Sequence, residues 1–358
     1  MNESTTKNEQ TRALLLGQYR NYPRLQTEDI FKYIHQSTFG CEHLVSSEER
    51  ALEFIKREFE TLPAGGAPEA EPLDGDFCRV HLSYLNDGLS PETLARLFFL
   101  SAKETQRGAD PTERLRIARE LIESGEIPLS LGEFDAAWAD WKAAGYPALH
   151  HSDAFREAYR PAYRVIANRY ATILPLLSKI DGLLRRGSAV VALEGGSASG
   201  KTTLSGILSE VYDCNVFHMD DFFLRPEQRT ALRLAEVGGN LDRERFYEEI
   251  LRPLNARETV RYRPFDCSTQ SLCEAVTVPQ KRLTLVEGVY SLHPAFGEYY
   301  DLAVFLDVDP ERQRERIRVR NAPMLAKRFF EEWIPMENRY FSELGIRSRC
   351  HIRLSVGE

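Results

Sequence analysis

Apolar positions along the chain follow two rhythms. Up to about residue 187 they recur three and four apart, the spacing of helices that bury one face. Ser46 and Glu49 form a capping box ahead of Ala51, Leu52, Phe54 and Ile55. Ser90-Pro91 opens a second helix carrying Leu94, Leu97, Phe98 and Leu100, and Asp110-Pro111 with Glu113 opens a third. Gly145 closes a fourth after Trp138 and Trp141. Residues 1–12 are polar and expected to fray, and Pro63–Gly75, rich in Pro, Gly and acids, predicts a surface loop. No strand-like run precedes residue 188, so this half is expected to be mainly α-helical. A longer helical pattern through Ile173, Leu176, Leu177, Ile180 and Leu184 ends at Arg185-Arg186-Gly187, which places the expected boundary between domains 1–187 and 188–358. The tyrosines and arginines of Tyr159-Arg160-Pro161-Ala162-Tyr163-Arg164 read as packing and snorkelling residues.

After residue 188 the rhythm changes to short apolar runs alternating with helices. Ala189–Leu193, Asn215–Met219, Leu283–Glu287 and Leu302–Asp307 predict strands; 201–212, 242–254 and 310–320 predict helices. The alternation predicts an α/β domain, a parallel sheet covered by helices on both faces with ligands at the carboxyl ends of its strands.

The first of these strands runs into Gly195-Gly196-Ser197-Ala198-Ser199-Gly200-Lys201-Thr202-Thr203. A β-branched strand, then GxxxxGK[ST], then a helix is the pattern of a phosphate-binding loop. Gly195, Gly196 and Gly200 let the backbone fold back so that its N–H groups and the helix N-terminus cradle phosphate oxygens. Lys201 is expected to reach the β- and γ-phosphates of ATP, and the Thr202 hydroxyl to ligate Mg²⁺. The second strand ends at His218-Met219-Asp220-Asp221, the third at Glu287. A carboxylate beside the phosphate loop can accept the proton of an attacking hydroxyl, which nominates Asp220. Glu287, with Thr202 and Asp220, is a candidate metal neighbour. Arg316 and Arg320 stand four apart on one helical face, so both guanidinium groups can converge on one polyanion.

These segments resemble the uridine kinase, nicotinamide riboside kinase and phosphoribulokinase group of P-loop kinases. The resemblance runs over residues 188–354, through GGSASGKTT, Asp220-Asp221-Phe222-Phe223, Asn240-Leu241-Asp242, Arg263-Pro264-Phe265-Asp266, Val286-Glu287-Gly288 and Phe305-Leu306-Asp307-Val308-Asp309. It implies that Asp220 is the catalytic base and that Asp242 holds substrate hydroxyls. It implies too that Phe265 and Asp266 face the acceptor, and that Arg316 and Arg320 cover the transferred phosphoryl group. Gln270 stands where uridine kinases carry a base-contacting histidine, Ala326-Lys327-Arg328 stands in the lid region, and the helical half has no counterpart in short uridine kinases.

Composition narrows the classes. A net charge of −8 argues against a general nucleic-acid or anionic-membrane binder. The longest apolar run falls short of a bilayer span, and six scattered cysteines without a CxxC pair, with no signal peptide in view, fit a reducing cytoplasm. Cys41 and His43 with Cys78 and His81 offer ligand types for a structural zinc, although packed side chains explain them as well. The expected activity is an ATP- and Mg²⁺-dependent kinase acting on a hydroxyl of a nucleoside or related small molecule. Pantothenate, a sugar phosphate or nicotinamide riboside are alternative acceptors, a nucleotide-binding regulator is the competing class, and a homo-oligomer is compatible with either.

Overall fold

The computed structural model describes residues 3–41, 45–63, 67–104 and 109–355. The chain divides into two compact units, Met1–Ser178 and Lys179–Glu358, the division falling inside the helix Leu174–Arg186 rather than at its end.

In the first unit the expected helices appear as Glu48–Glu60, Pro91–Ala102, Thr112–Glu123 and Leu131–Ala143, joined by Thr27–Phe39; each buries apolar residues, but on Glu48–Glu60 only Ala51 and Ile55 of the expected face are buried and Phe54 is exposed. Ser90 caps its helix as read, accepting from the Thr93 N–H at 3.0 Å. One cap moves: Ser47, not Ser46, accepts from the Arg50 N–H at 3.2 Å. The expectation of no strands in this half is corrected. Ala70–Pro72, Phe77–His81 and Tyr163–Ala167 form a three-stranded antiparallel sheet in that order, so part of the expected Pro63–Gly75 loop is strand. The central strand alternates Cys78, Val80 and Leu82 with Arg79, His81 and Ser83, and because Arg79 too is buried, its pattern does not read as a simple apolar face.

The second unit is a five-stranded parallel sheet ordered Ile352–Ser355, Leu302–Asp307, Ala189–Gly195, Leu283–Glu287, Cys214–His218. Alternation sends Ala192, Phe217, Val286 and Phe305 into one cluster with Phe246, Ile250, Tyr340 and Phe341. Each fully buried phenylalanine there contributes roughly 2–3 kcal/mol. Val191, Leu193 and Leu285 point to the opposite side of the sheet, where the helix Lys201–Val211 packs. The expected helix 242–254 runs over residues 243–256 with a π turn at Tyr247–Leu251. Pro253, which has no N–H to donate, lies two residues beyond it; Pro335 stands in the same relation to the π turn Phe329–Trp333.

Candidate active site

The central strand delivers the phosphate loop at its carboxyl end, between its two neighbours. Gly195 has φ +148° and Gly200 φ +99°, values that favour glycine. At Gly195 a Cβ would stand 2.6 Å from the Leu306 carbonyl oxygen. Gly196 serves differently from the expectation. Its φ is not positive; a Cβ there would stand 3.0 Å from Gln313 Nε2 and 3.3 Å from Glu337 Oε2, and the remaining left-handed position is Ala198 at φ +58°. Thr203, next along, is exposed on the helix.

Lys201 is buried, its Nζ donating to the Gly196 carbonyl at 2.8 Å. The Thr202 hydroxyl donates to Glu287 Oε1 at 3.1 Å, and His218 Nδ1 lies 2.6 Å from the same oxygen. Burial pushes the Glu287 carboxyl up, but His218 and Lys201 outweigh it and hold the group below the usual carboxylate range. His218 is raised in return, chiefly by its hydrogen bond to Glu287. The Thr202 hydroxyl and the Glu287 carboxylate offer two oxygens of the kind Mg²⁺ takes, one of them shared with His218 Nδ1.

Asp220 opens to solvent but is surrounded closely enough that desolvation raises its carboxyl pKa; Lys201, His218 and Arg320 pull it back and Glu287 pushes it further up. One locus therefore feels Lys201 of the loop, Glu287 of the third strand and Arg320 of the helix Pro310–Arg320. On the helix Pro310–Arg320, Arg316 donates to the Ala198 carbonyl at 3.2 Å, whereas Arg314 and Arg318 lie over the Phe330 ring at 5.1 and 5.5 Å. The arginine run thus splits between the loop and an aromatic support.

The acceptor-side residues are less uniform. Phe265 is buried beside Arg229, with the guanidinium 6.0 Å from the ring centroid, and its hairpin brings Cys267 into electrostatic contact with Asp220 and Asp221. Asp266 holds its own turn, accepting from the Ser268 N–H and hydroxyl at 2.7 Å each. Asp242 is buried as a helix cap: it accepts from the Arg245 N–H at 3.2 Å and from Gln228 at 2.9 Å. Those contacts turn its carboxylate inward, so binding a substrate hydroxyl would compete with the cap.

Two acids escaped the sequence reading. Glu337, on the helix Ile334–Glu343, accepts from the Ser197 N–H at 2.9 Å and from the Ser197 hydroxyl. Its carboxyl is raised by burial. Glu194, wholly buried one residue ahead of the loop, accepts from the Gly195 N–H at 2.9 Å, the Leu292 N–H at 3.1 Å and the Tyr340 hydroxyl at 2.9 Å. Burial still pushes it up to about 7. A polar residue inside an otherwise apolar strand was the available signal for Glu194; Glu337 carries none, being 140 residues from its partner. For the zinc reading, His43 lies outside the described residues, and among the described residues no group of three or more His, Cys, Asp or Glu could hold a metal.

Strand, glycine loop and helix form a P-loop arrangement, with Glu287 at the end of the neighbouring strand and Asp220 just past the end of the next. No protein-family model matches the chain. Residues of the chain are 27% identical over 142 positions to the uridine kinase of Chlamydia pneumoniae, a match covering 37% of this chain and 63% of that relative's length. Similar solved structures include a possible uridine kinase from Bacillus stearothermophilus, at 21% identity and TM-score 0.39 over 50% of this chain and 99% of that one. Shikimate kinase from Acinetobacter baumannii follows at 20% identity and TM-score 0.30, over 48% and 85%. The match is a resemblance to the uridine kinase group of P-loop kinases, and the chain spans less than two thirds of that relative's length. No described helix is long and apolar enough to cross a membrane.

Proposed function

We propose that the second unit transfers the terminal phosphoryl group of ATP, with Mg²⁺, to a hydroxyl of a nucleoside or related small metabolite. The observation that carries this reading is Asp220, whose carboxylate opens to solvent at the carboxyl end of its strand and interacts with Lys201, Glu287 and Arg320. Its raised pKa makes it a better proton acceptor than an ordinary aspartate. The acceptor O–H gives its proton to Asp220, its oxygen attacks the γ-phosphorus, and the bond to the β–γ bridging oxygen breaks to release ADP. Lys201 neutralises the β- and γ-phosphates, while Arg316 and Arg320 cover the group in flight. Thr202 and Glu287 are the residues that would hold Mg²⁺, which would offset phosphate charge.

Asp220→Asn keeps the shape and removes the base. Phosphoryl transfer should fall at least about a hundredfold with ATP affinity nearly unchanged, and Asp221→Asn should cost less. Unimpaired transfer in Asp220→Asn would place the base elsewhere, whereas very slow hydrolysis with no transfer to any acceptor would favour the nucleotide-binding regulator. A panel of nucleosides, nicotinamide riboside, pantothenate and sugar phosphates, followed by ATP consumption, identifies the acceptor.

A further inference from the structure

The first unit contains a cavity of about 430 Å³, within the size range of small-molecule sites. One wall is the polar face of the strand Phe77–His81 and its continuation. Arg79 is 1% exposed, and its Nε donates to Gln36 at 2.8 Å and its Nη1 to Glu71 at 3.2 Å, yet its Nη2 finds no acceptor among the described residues. Ser83 Oγ, four residues on and also lining the cavity, is likewise buried without a partner. Native interiors seldom leave such donors unmatched, so two on residues that line one cavity call for an explanation. Aromatic residues line it as well. Tyr22, Phe155 and Tyr159 pack ring to ring with centroids 4.9 to 5.1 Å apart, and Tyr163 lies under the Arg79 guanidinium at 4.8 Å.

From these observations we infer that the cavity binds a small, planar, uncharged heteroaromatic ring bearing carbonyl or amide acceptors. The ring lies against the tyrosines and its acceptor atoms take the hydrogens of Arg79 Nη2 and Ser83 Oγ. Charge selects the neutral form. Arg79 is already matched by Glu71, whose other oxygen lies 3.5 Å from His81 Nε2, and the remaining charged residues of the lining, Glu69 and Arg160, are one of each sign, so a further full anion would meet no net positive charge. Tyr159, Arg160 and Tyr163, whose sequence setting suits packing, are then part of a binding site.

The test uses the full chain and matched pairs of probes: uracil with orotate, nicotinamide with nicotinate, benzamide with benzoate. Calorimetry and ligand-observed NMR should find at least one neutral member binding one-to-one at or below millimolar concentration, its carboxylate counterpart at least tenfold weaker. Ser83→Ala should weaken that binding about tenfold through the lost hydrogen bond. Ala67→Trp, at an exposed position on the rim, should abolish it while ATP binding stays unchanged. The inference is overturned if no neutral probe binds at millimolar concentration, if the carboxylates bind more tightly, or if Ala67→Trp leaves binding intact.

Discussion

Glu71 in the first unit and Glu194 in the second are both shielded from water, yet their surroundings shift their ionisation in opposite directions. Burial pushes Glu71 up, but the charge of Arg79 with hydrogen bonds from His81 and Gln18 outweighs it and holds the group at about 2. Around Glu194 the donors are two backbone N–H groups and the Tyr340 and Ser291 hydroxyls, the charge of Lys201 counts for less than the N–H groups, and desolvation wins. Hydrogen bonds from neutral donors do not substitute for a paired cation in a dry interior. The two units therefore differ in their response to pH. Glu71 contributes stability that is present above the ordinary carboxylate pKa of 4.5 and is lost as pH falls toward 2. For Glu194 the folded chain keeps its proton up to about pH 7 while an unfolded chain releases it near 4.5, so stability falls as pH rises through that window.

Breaking the pair in the first unit should have the largest effect. Arg79→Met leaves Glu71 buried without its cation and should cost about 3–5 kcal/mol. Hydrogen exchange of the Phe77–His81 amides measures it, and replacing Glu71 by Leu in the same chain should recover much of the loss. If Arg79→Met were neutral, Glu71 would have to be neutral already and the contrast with Glu194 would collapse. Next comes the pH response of the second unit, worth up to about 3 kcal/mol. Exchange protection of the Ala189–Gly195 amides, corrected for intrinsic rate, should decline between pH 5 and pH 7 in the wild type and stay flat in Glu194→Gln. Smallest is Tyr340→Phe, which removes one donor from Glu194: a loss of about 1 kcal/mol, with the pH response displaced further toward alkaline values. A displacement toward acid would mean that the hydroxyl accepts from a neutral Glu194 rather than donating to its carboxylate.

The phosphate loop was legible because its chemistry is local. Nine consecutive residues hold the glycines, the lysine and the hydroxyls, and the apolar run before them can only be a buried strand. Asp220 and Glu287 were legible because each ends such a run. What stayed hidden is built from separated pieces. The strand Phe77–His81 puts an arginine and a histidine where a predictor expects solvent, since their partners Glu71, Gln36 and Tyr163 lie elsewhere in the chain. Asp242 shows the converse. Its Asn-Leu-Asp setting suits a ligand, but the same position is the first capping site of a helix, and the structure uses it so. The edge strand Ile352–Ser355 is too short and too polar in alternation to stand out, and only pairing with Leu302–Asp307 reveals it.

The contact between Ser197 and Glu337 has a consequence for the order in which the protein takes shape as it is synthesised. Residues 195–203 leave the ribosome well before residue 337 exists, and the edge strand that completes the sheet comes later still. During that interval the loop has its glycines and its helix but not the carboxylate that occupies the Ser197 N–H. The sheet of the first unit, in contrast, is complete once residue 167 has emerged. A nascent chain paused between these points would present a finished first unit attached to a phosphate loop still waiting for its last protein contact.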